Sequence, residues 1–123
     1  MAKHPAVDAL AKAAKGLMFP SESESPLEPF LWPGDVPLSV ARLLELAGAA
    51  AGTPVAEVSL ATLFRTIPKD DRPSFDRLQA ALSEQVSGLK VYKVGAEAEK
   101  QVYIVGRTSD GQLAGLKTTV VET

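Results

Sequence analysis

The residues of this sequence with the clearest capacity for chemistry are the carboxylates of an acidic loop, Ser21-Glu22-Ser23-Glu24-Ser25. Between Gly16 and Ala41 the chain carries four carboxylates and no Lys or Arg, whereas the formal net charge of the whole chain is only -2. A fixed cluster of carboxylates can engage a metal ion, an Arg-lined groove or the phosphate site of a partner. Taken alone, such a loop is more often a solvated surface turn. The four carboxylates are those of Glu22, Glu24, Glu28 and Asp35.

An enzymatic use of this loop finds little support in the rest of the sequence. Glu22 and Glu24 could form a general acid and base pair, but the flanking serines offer no apolar surroundings that would give the two carboxyls different roles. The single imidazole, His4, lies near a terminus that we expect to be mobile and solvated, which disfavours a catalytic triad or a His-based metal site. The absence of cysteine excludes thiolate zinc sites and cysteine nucleophiles. We therefore expect a non-enzymatic protein with no cofactor and no metal site of its own.

Length and composition are those of an ordinary globular domain. The chain has 123 residues, of which 46% are hydrophobic and 23% charged, and we expect a single domain over residues 1–123. The slight excess of acidic residues argues against direct binding of nucleic acid, which requires a basic face. No apolar block has the length of a signal peptide or a membrane span, so we expect a cytoplasmic protein that does not associate with membranes.

Helical signals fall in four segments. Apolar residues spaced three and four apart predict an amphipathic helix at the start of the chain. Ser39 and Ser59 are suited to cap two further helices, and Pro73 is suited to the first turn of a longer one. The small residues 49–53 predict a loop. The four predicted helices are 5–15, 39 to a stop at Gly48, a short helix from 59, and 73 to a stop at Gly88.

Strand signals dominate the last third of the chain. The aromatic run Phe30–Trp32, bounded by prolines, predicts a brief strand at a sheet edge. Asp110-Gly111 predicts a hairpin between the last two strands, so the sheet is expected to be mainly antiparallel. Val102–Val105 is apolar without alternation, which predicts that both faces of its strand are covered, and the fold class is then α+β, a three-layer α-β-α sandwich. The other predicted strands are 89–94, 101–106 and 112–121.

The segment Gly16–Pro26, followed by Phe30–Trp32, resembles the leading signature of the nuclease A inhibitor family. The last strands, over residues 91–95, 102–106, 113–116 and 118–123, are similar to the C-terminal half of that family. The resemblance implies a small bacterial protein that binds and blocks a sugar-non-specific, metal-dependent DNA/RNA nuclease of the ββα-metal type. It also implies an α-β-α sandwich like that of plant pathogenesis-related class 1 proteins, and we expect a monomer.

The same resemblance implies which residues touch the partner. The positions that reach toward the catalytic magnesium of the nuclease are Glu22 and Thr123 here, and Glu24 is expected to add a further contact. A carboxylate, together with a C-terminal Thr that offers a hydroxyl and an α-carboxylate, can occupy a site that seeks oxygen ligands. Neither group offers a scissile bond, so the implied mechanism is occlusion of the substrate site.

One region departs from the family pattern. Residues 49–73 follow it poorly, the linker from Thr66 to Pro73 is short, and an aromatic residue expected at the interface is absent. A second interpretation is therefore an interaction domain of the same fold that binds a different protein and inhibits no nuclease. A more distant third is a small hydrolase that uses the acidic loop.

Overall fold

A computed structural model describes residues 4–20, 24–34, 38–65 and 67–121 of the chain. Its helices and strands, in chain order, are α1 (Pro5–Ala14), β1 (Met18–Phe19), β2 (Ser25–Pro26), β3 (Glu28–Trp32), α2 (Val40–Ala47), β4 (Val55–Val58), α3 (Leu60–Phe64), a 3-10 turn (Lys69–Asp71), α4 (Arg72–Gln85), β5 (Ser87–Val94), β6 (Glu99–Arg107) and β7 (Leu113–Val121).

Helices α2 and α3 begin where local chemistry predicts, and α2 also ends there. The Ser39 hydroxyl accepts a hydrogen bond from the backbone N–H of Arg42 at 3.1 Å, and Gly48 ends α2 in the left-handed conformation, with φ of 72°. Ser59 caps α3 in the same way, through the N–H of Thr62 at 3.0 Å. The fourth helix ends at Gln85, before the predicted stop at Gly88.

Five strands form one antiparallel sheet in the order β3-β7-β6-β5-β4. The chain is thus an α+β protein with a mainly antiparallel sheet, and β3 lies at a sheet edge as predicted. The other edge strand, β4, has no counterpart among the predicted strands. Its sequence, Val-Ala-Glu-Val, lacks period-two alternation, and it is ordered as a strand by its pairing with β5.

Both faces of β6 are buried. Val102 and Ile104 are 0% exposed, and they pack in a first core cluster with Leu10 of α1 and Leu78 of α4. Tyr103 and Val105 point to the opposite face because side chains alternate along a strand. They are 6% and 2% exposed, and pack in a second core cluster with Leu43 and Leu44 of α2. The predicted cover on both sides of this strand is confirmed.

Gly115 on β7 lies where a side chain would clash with the neighbouring strand. A β-carbon at this position would lie 1.7 Å from the carbonyl oxygen of Ile104, so only glycine fits between β7 and β6. Gly106 is restricted in the same manner by Val86, whose side chain would lie 2.7 Å from an added β-carbon. These glycines serve strand packing, and neither belongs to a phosphate-binding loop.

The expectation that His4 is solvated is wrong. Its side chain is only 16% exposed, and its Nδ1 accepts a hydrogen bond from the N–H of Ala6 at 3.1 Å, which caps the N-terminus of α1. Because Nδ1 accepts, the ring proton lies on Nε2, which donates to the carboxylate of Asp110 at 3.0 Å. The first turn of a helix needs an acceptor for its free N–H groups, and His4, placed just before Pro5, supplies one.

Candidate functional site

The acidic loop is closed at its base by the two-stranded β1-β2 hairpin. Met18 pairs with Pro26 and Phe19 pairs with Ser25 in antiparallel register. The Phe19 ring is 3% exposed and packs edge-on against Phe75 of α4, with ring centroids 6.4 Å apart. Burial of a side chain of this size contributes about 1.5–3 kcal/mol, so the hydrophobic core holds the start of the loop in place.

The end of the loop is attached to the last strand of the sheet. Thr118 of β7 is 4% exposed, and its hydroxyl donates to the carbonyl oxygen of Ser25 at 3.4 Å. Leu27, two residues farther along, is 5% exposed and belongs to the first core cluster. A side chain on the last strand thus contacts the backbone at the foot of the loop.

Strand direction brings the two segments to one end of the sheet. β3 and β7 are antiparallel, with Glu28 opposite Lys117. Two paths along the chain therefore run in the same direction: backward from Glu28 to Glu24, and forward from Lys117 to Val121. The acidic loop and the end of β7 leave the sheet at the same end.

Of the three residues expected to touch a partner, the structure describes one. Glu24 is exposed, directly before β2. Glu22 and Thr123 lie outside the described residues. The expectation that residues 118–121 belong to the sheet is confirmed, since each is paired with a residue of β6.

A basic side chain that the sequence analysis missed lies beside the acidic segment. The Nζ atom of Lys117 is 4.0 Å from a carboxylate oxygen of Glu28, and the two side chains are 46% and 60% exposed. Holding both side chains in one geometry costs conformational entropy, and this cost offsets most of the electrostatic attraction in such a surface pair. Their contact follows from the β3–β7 register, which joins residues far apart in the chain and has no local sequence signal.

The groups with displaced pKa values belong to structural contacts. Burial raises the pKa of Tyr92 and of Tyr103 in the second core cluster, where the Tyr103 ring contacts Phe30 edge-on and Trp32 at a tilt. Hydrogen bonds, first from Thr108 and then from His4, lower the pKa of Asp110, which lies in the β6–β7 turn at the end of the sheet opposite the acidic loop. None of these three groups is placed to act on a ligand held by the loop.

No group of three or more His, Cys, Asp or Glu side chains within 4–20, 24–34, 38–65 and 67–121 is arranged to hold a metal ion. In the same part of the chain, no helix has the length and apolar character needed to cross a membrane.

Comparison with known proteins decides the family. The model of the nuclease A inhibitor-like protein family matches residues 4–123. The chain belongs to this family. No curated protein matches the chain. The nuclease A inhibitor-like match includes the acidic loop, β7 and the divergent residues 49–73, so the resemblance noted in the sequence is confirmed over nearly the whole chain.

Proposed function

We propose that this protein inhibits a nuclease by filling its active site with the acidic loop and the C-terminal Thr123. The observation that carries the proposal is the match of the nuclease A inhibitor-like family over residues 4–123. The hydrogen bond from Thr118 to the Ser25 carbonyl supports it, because it joins the foot of the loop to the strand that leads to Thr123.

The partner in this proposal is the kind of nuclease that the family resemblance implies. The partner is a sugar-non-specific, magnesium-dependent DNA/RNA nuclease of the ββα-metal type, whose site is built to bind the oxygens of a phosphodiester. The carboxylates of Glu22 and Glu24, and the hydroxyl and α-carboxylate of Thr123, supply oxygens that a hard cation accepts, directly or through bound water. None of them can be cleaved. The nucleic acid is excluded from the site, and the inhibitor itself neither binds it nor catalyses a reaction.

We also propose the layer arrangement, the assembly state and the cellular location of the protein. Helices pack in the first and second core clusters on the two faces of the sheet, which supports a three-layer α-β-α sandwich like that of plant pathogenesis-related class 1 proteins. We propose a single domain over residues 1–123, acting as a monomer in the bacterial cytoplasm.

The test is a titration of a purified ββα-metal nuclease with this protein, in the presence of magnesium, with DNA and with RNA as substrates. Occlusion predicts that KM rises with inhibitor concentration while kcat stays constant, and that both substrates are blocked alike. Full nuclease activity at saturating inhibitor, with no complex detected, contradicts the proposal. A complex that forms without inhibition favours the alternative, an interaction domain of the same fold.

A further inference from the structure

Helix α2 covers only half of the second face of the sheet. In the covered half, Tyr103 is 6% exposed, and Val105 and Leu113 are 2% and 4% exposed. On the same face, beyond Tyr103 toward the acidic loop, the residues of β3, β6 and β7 become exposed or half-buried, whereas Val94 of β5 stays buried. We call this uncovered part the open sheet face and define it by Glu28, Gln101, Lys117 and Thr119.

The register places these four side chains together. Gln101 pairs with Thr119, Lys117 pairs with Glu28, and Lys117 also pairs with Tyr103 at the border of the covered half. Alternation along β7 agrees, because Thr118 is buried on the first face, and Lys117 and Thr119 on either side of it point to the second. The Thr119 hydroxyl donates to the Oε1 atom of Gln101 at 3.3 Å, so the surface is flat, polar and internally bonded.

An apolar rim separates this surface from the acidic loop. Met18 is 42% exposed and pairs with the exposed Pro26 across the β1-β2 hairpin. Their hairpin neighbours Phe19 and Leu27 are buried in the first core cluster, so Met18 and Pro26 point away from that core. Methionine is enriched in protein interfaces, so this pair is suited to contact a partner.

We propose that the open sheet face, with Met18 and Pro26, is a docking surface for the rim of the nuclease active site. This inference rests on the proposed function. If Glu24 enters the active site of the partner, the surface around that active site must contact the residues next to Glu24. Those residues form the apolar rim and then the open sheet face. Docking on this surface fixes the angle at which the acidic loop enters the cleft.

Charge favours the basic rim of a nuclease as the occupant. Among the described residues, the exposed charges on and beside this surface include the carboxylates of Glu24, Glu28 and Glu99 and the cation of Lys117. Because Glu28 and Lys117 are both well exposed and 4.0 Å apart, Glu28 can exchange Lys117 for an Arg or Lys of the nuclease at little cost. A cleft that binds nucleic acid is bordered by such cations.

The test uses two pairs of variants, with a purified ββα-metal nuclease as the probe and the dissociation constant as the readout. Gln101→Arg adds bulk and positive charge to the open sheet face, and Gln79→Arg makes the same change at an exposed position of α4, on the other side of the sheet. Met18→Ser removes the exposed side chain of the rim. Val40→Ser is its control, because Val40 is 54% exposed at the start of α2. We expect Gln101→Arg to weaken binding by at least about tenfold and Met18→Ser by severalfold, with both controls unchanged.

The outcomes separate this inference from the proposed function. If both surface variants bind as tightly as their controls while Glu22→Gln binds more weakly, the docking surface is wrong and the inhibitor proposal stands. If the unaltered protein does not bind the nuclease, the proposed function fails and the docking surface fails with it. If the protein dimerises in a sedimentation experiment and Gln101→Arg abolishes the dimer, a second copy covers this face and the inference is overturned. Thermal unfolding of each variant confirms that the fold is retained.

Discussion

The charge of one side chain, Glu22, is the most direct probe of the proposed inhibition. Glu22→Gln keeps the shape of the side chain and removes its charge. We expect weaker inhibition with nearly unchanged stability, because loss of a charge pair at an interface can cost about 2 kcal/mol or more. A surface substitution away from a core changes the free energy of unfolding by less than about 0.5 kcal/mol.

The measurement for Glu22→Gln is the inhibition constant at low and at moderate salt, since screening weakens an interfacial charge contact. Glu84→Gln is the matched control, because Glu84 is an exposed residue of α4. Equal inhibition by the two variants at both salt concentrations would remove Glu22 from the contact.

Asp110 makes the stability of the fold sensitive to acid. The hydrogen bond from Thr108, and then that from His4, hold the pKa of Asp110 below its usual value, so its ionised form stabilises the folded state. This contribution is complete above the pKa of the unfolded carboxyl, about 3.9, and is lost as the pH falls through the lower pKa of the folded state. Asp110→Asn should therefore have a lower midpoint of urea unfolding than the unaltered protein near neutral pH. In acid the two midpoints should converge.

The Asp110 prediction is checked by urea unfolding from about pH 6 to about pH 2. Asp76→Asn, an exposed position on α4, controls for the removal of a carboxylate. A constant difference between Asp110→Asn and the unaltered protein over this range would show that the Thr108 and His4 contacts do not couple to stability.

At the scale of an element, β6 buries side chains on both of its faces between Val102 and Val105. Tyr103→Asp and Ile104→Asp place a charge on the second and the first face respectively, and both sites are nearly closed to solvent. We expect each variant to lose several kcal/mol of stability, because an unpaired buried charge is heavily penalised. Gln101→Asp on the same strand is exposed and should unfold like the unaltered protein.

Chemical denaturation with circular dichroism measures these three β6 variants. If Tyr103→Asp is tolerated and Ile104→Asp is not, helix α2 does not seal the second face of the sheet. The three-layer arrangement would then be wrong, although the antiparallel sheet would remain.

The elements that the sequence predicted are those with local causes. Ser39 and Ser59 cap helices through bonds three residues away, and Asp110-Gly111 forms the turn it predicts. Strand β4 depends on pairing with β5, and the Lys117 contact depends on the register of β3 against β7. The cap by His4 was missed because imidazole is an uncommon acceptor there and its second partner is 106 residues away. Tertiary pairing of this kind leaves no local pattern.

At the scale of the whole molecule, the two chain ends respond differently to an added tag. Residues up to Val121 are held in the sheet, and Thr123 is proposed to enter the nuclease site. A C-terminal tag should therefore weaken inhibition strongly while leaving the unfolding temperature unchanged. An N-terminal tag precedes His4 in the chain, and His4 lies at the end of the sheet away from the acidic loop, so this tag should leave inhibition intact.

Inhibition assays of the two tagged proteins and of a variant lacking Thr123 test this difference. Protease removal of the C-terminal tag is expected to restore potency to the extent that it restores the native terminus. Equal potency of the C-terminally and N-terminally tagged proteins would mean that Thr123 makes no contact with the nuclease.

The position of β7 in the sheet has a consequence for how the protein is made. Although β7 comes after every other strand in the chain, it lies between β3 and β6. Until β7 has been synthesised, β3 has no partner in the sheet and one edge of β6 has unpaired backbone groups. The sheet closes only when residues near 28 and near 117 meet, a pairing distant in sequence that slows folding. A chain released by a ribosome that stalls before β7 would thus lack a complete sheet and the strand that contacts the foot of the acidic loop. Such chains are expected to be inactive and prone to aggregation.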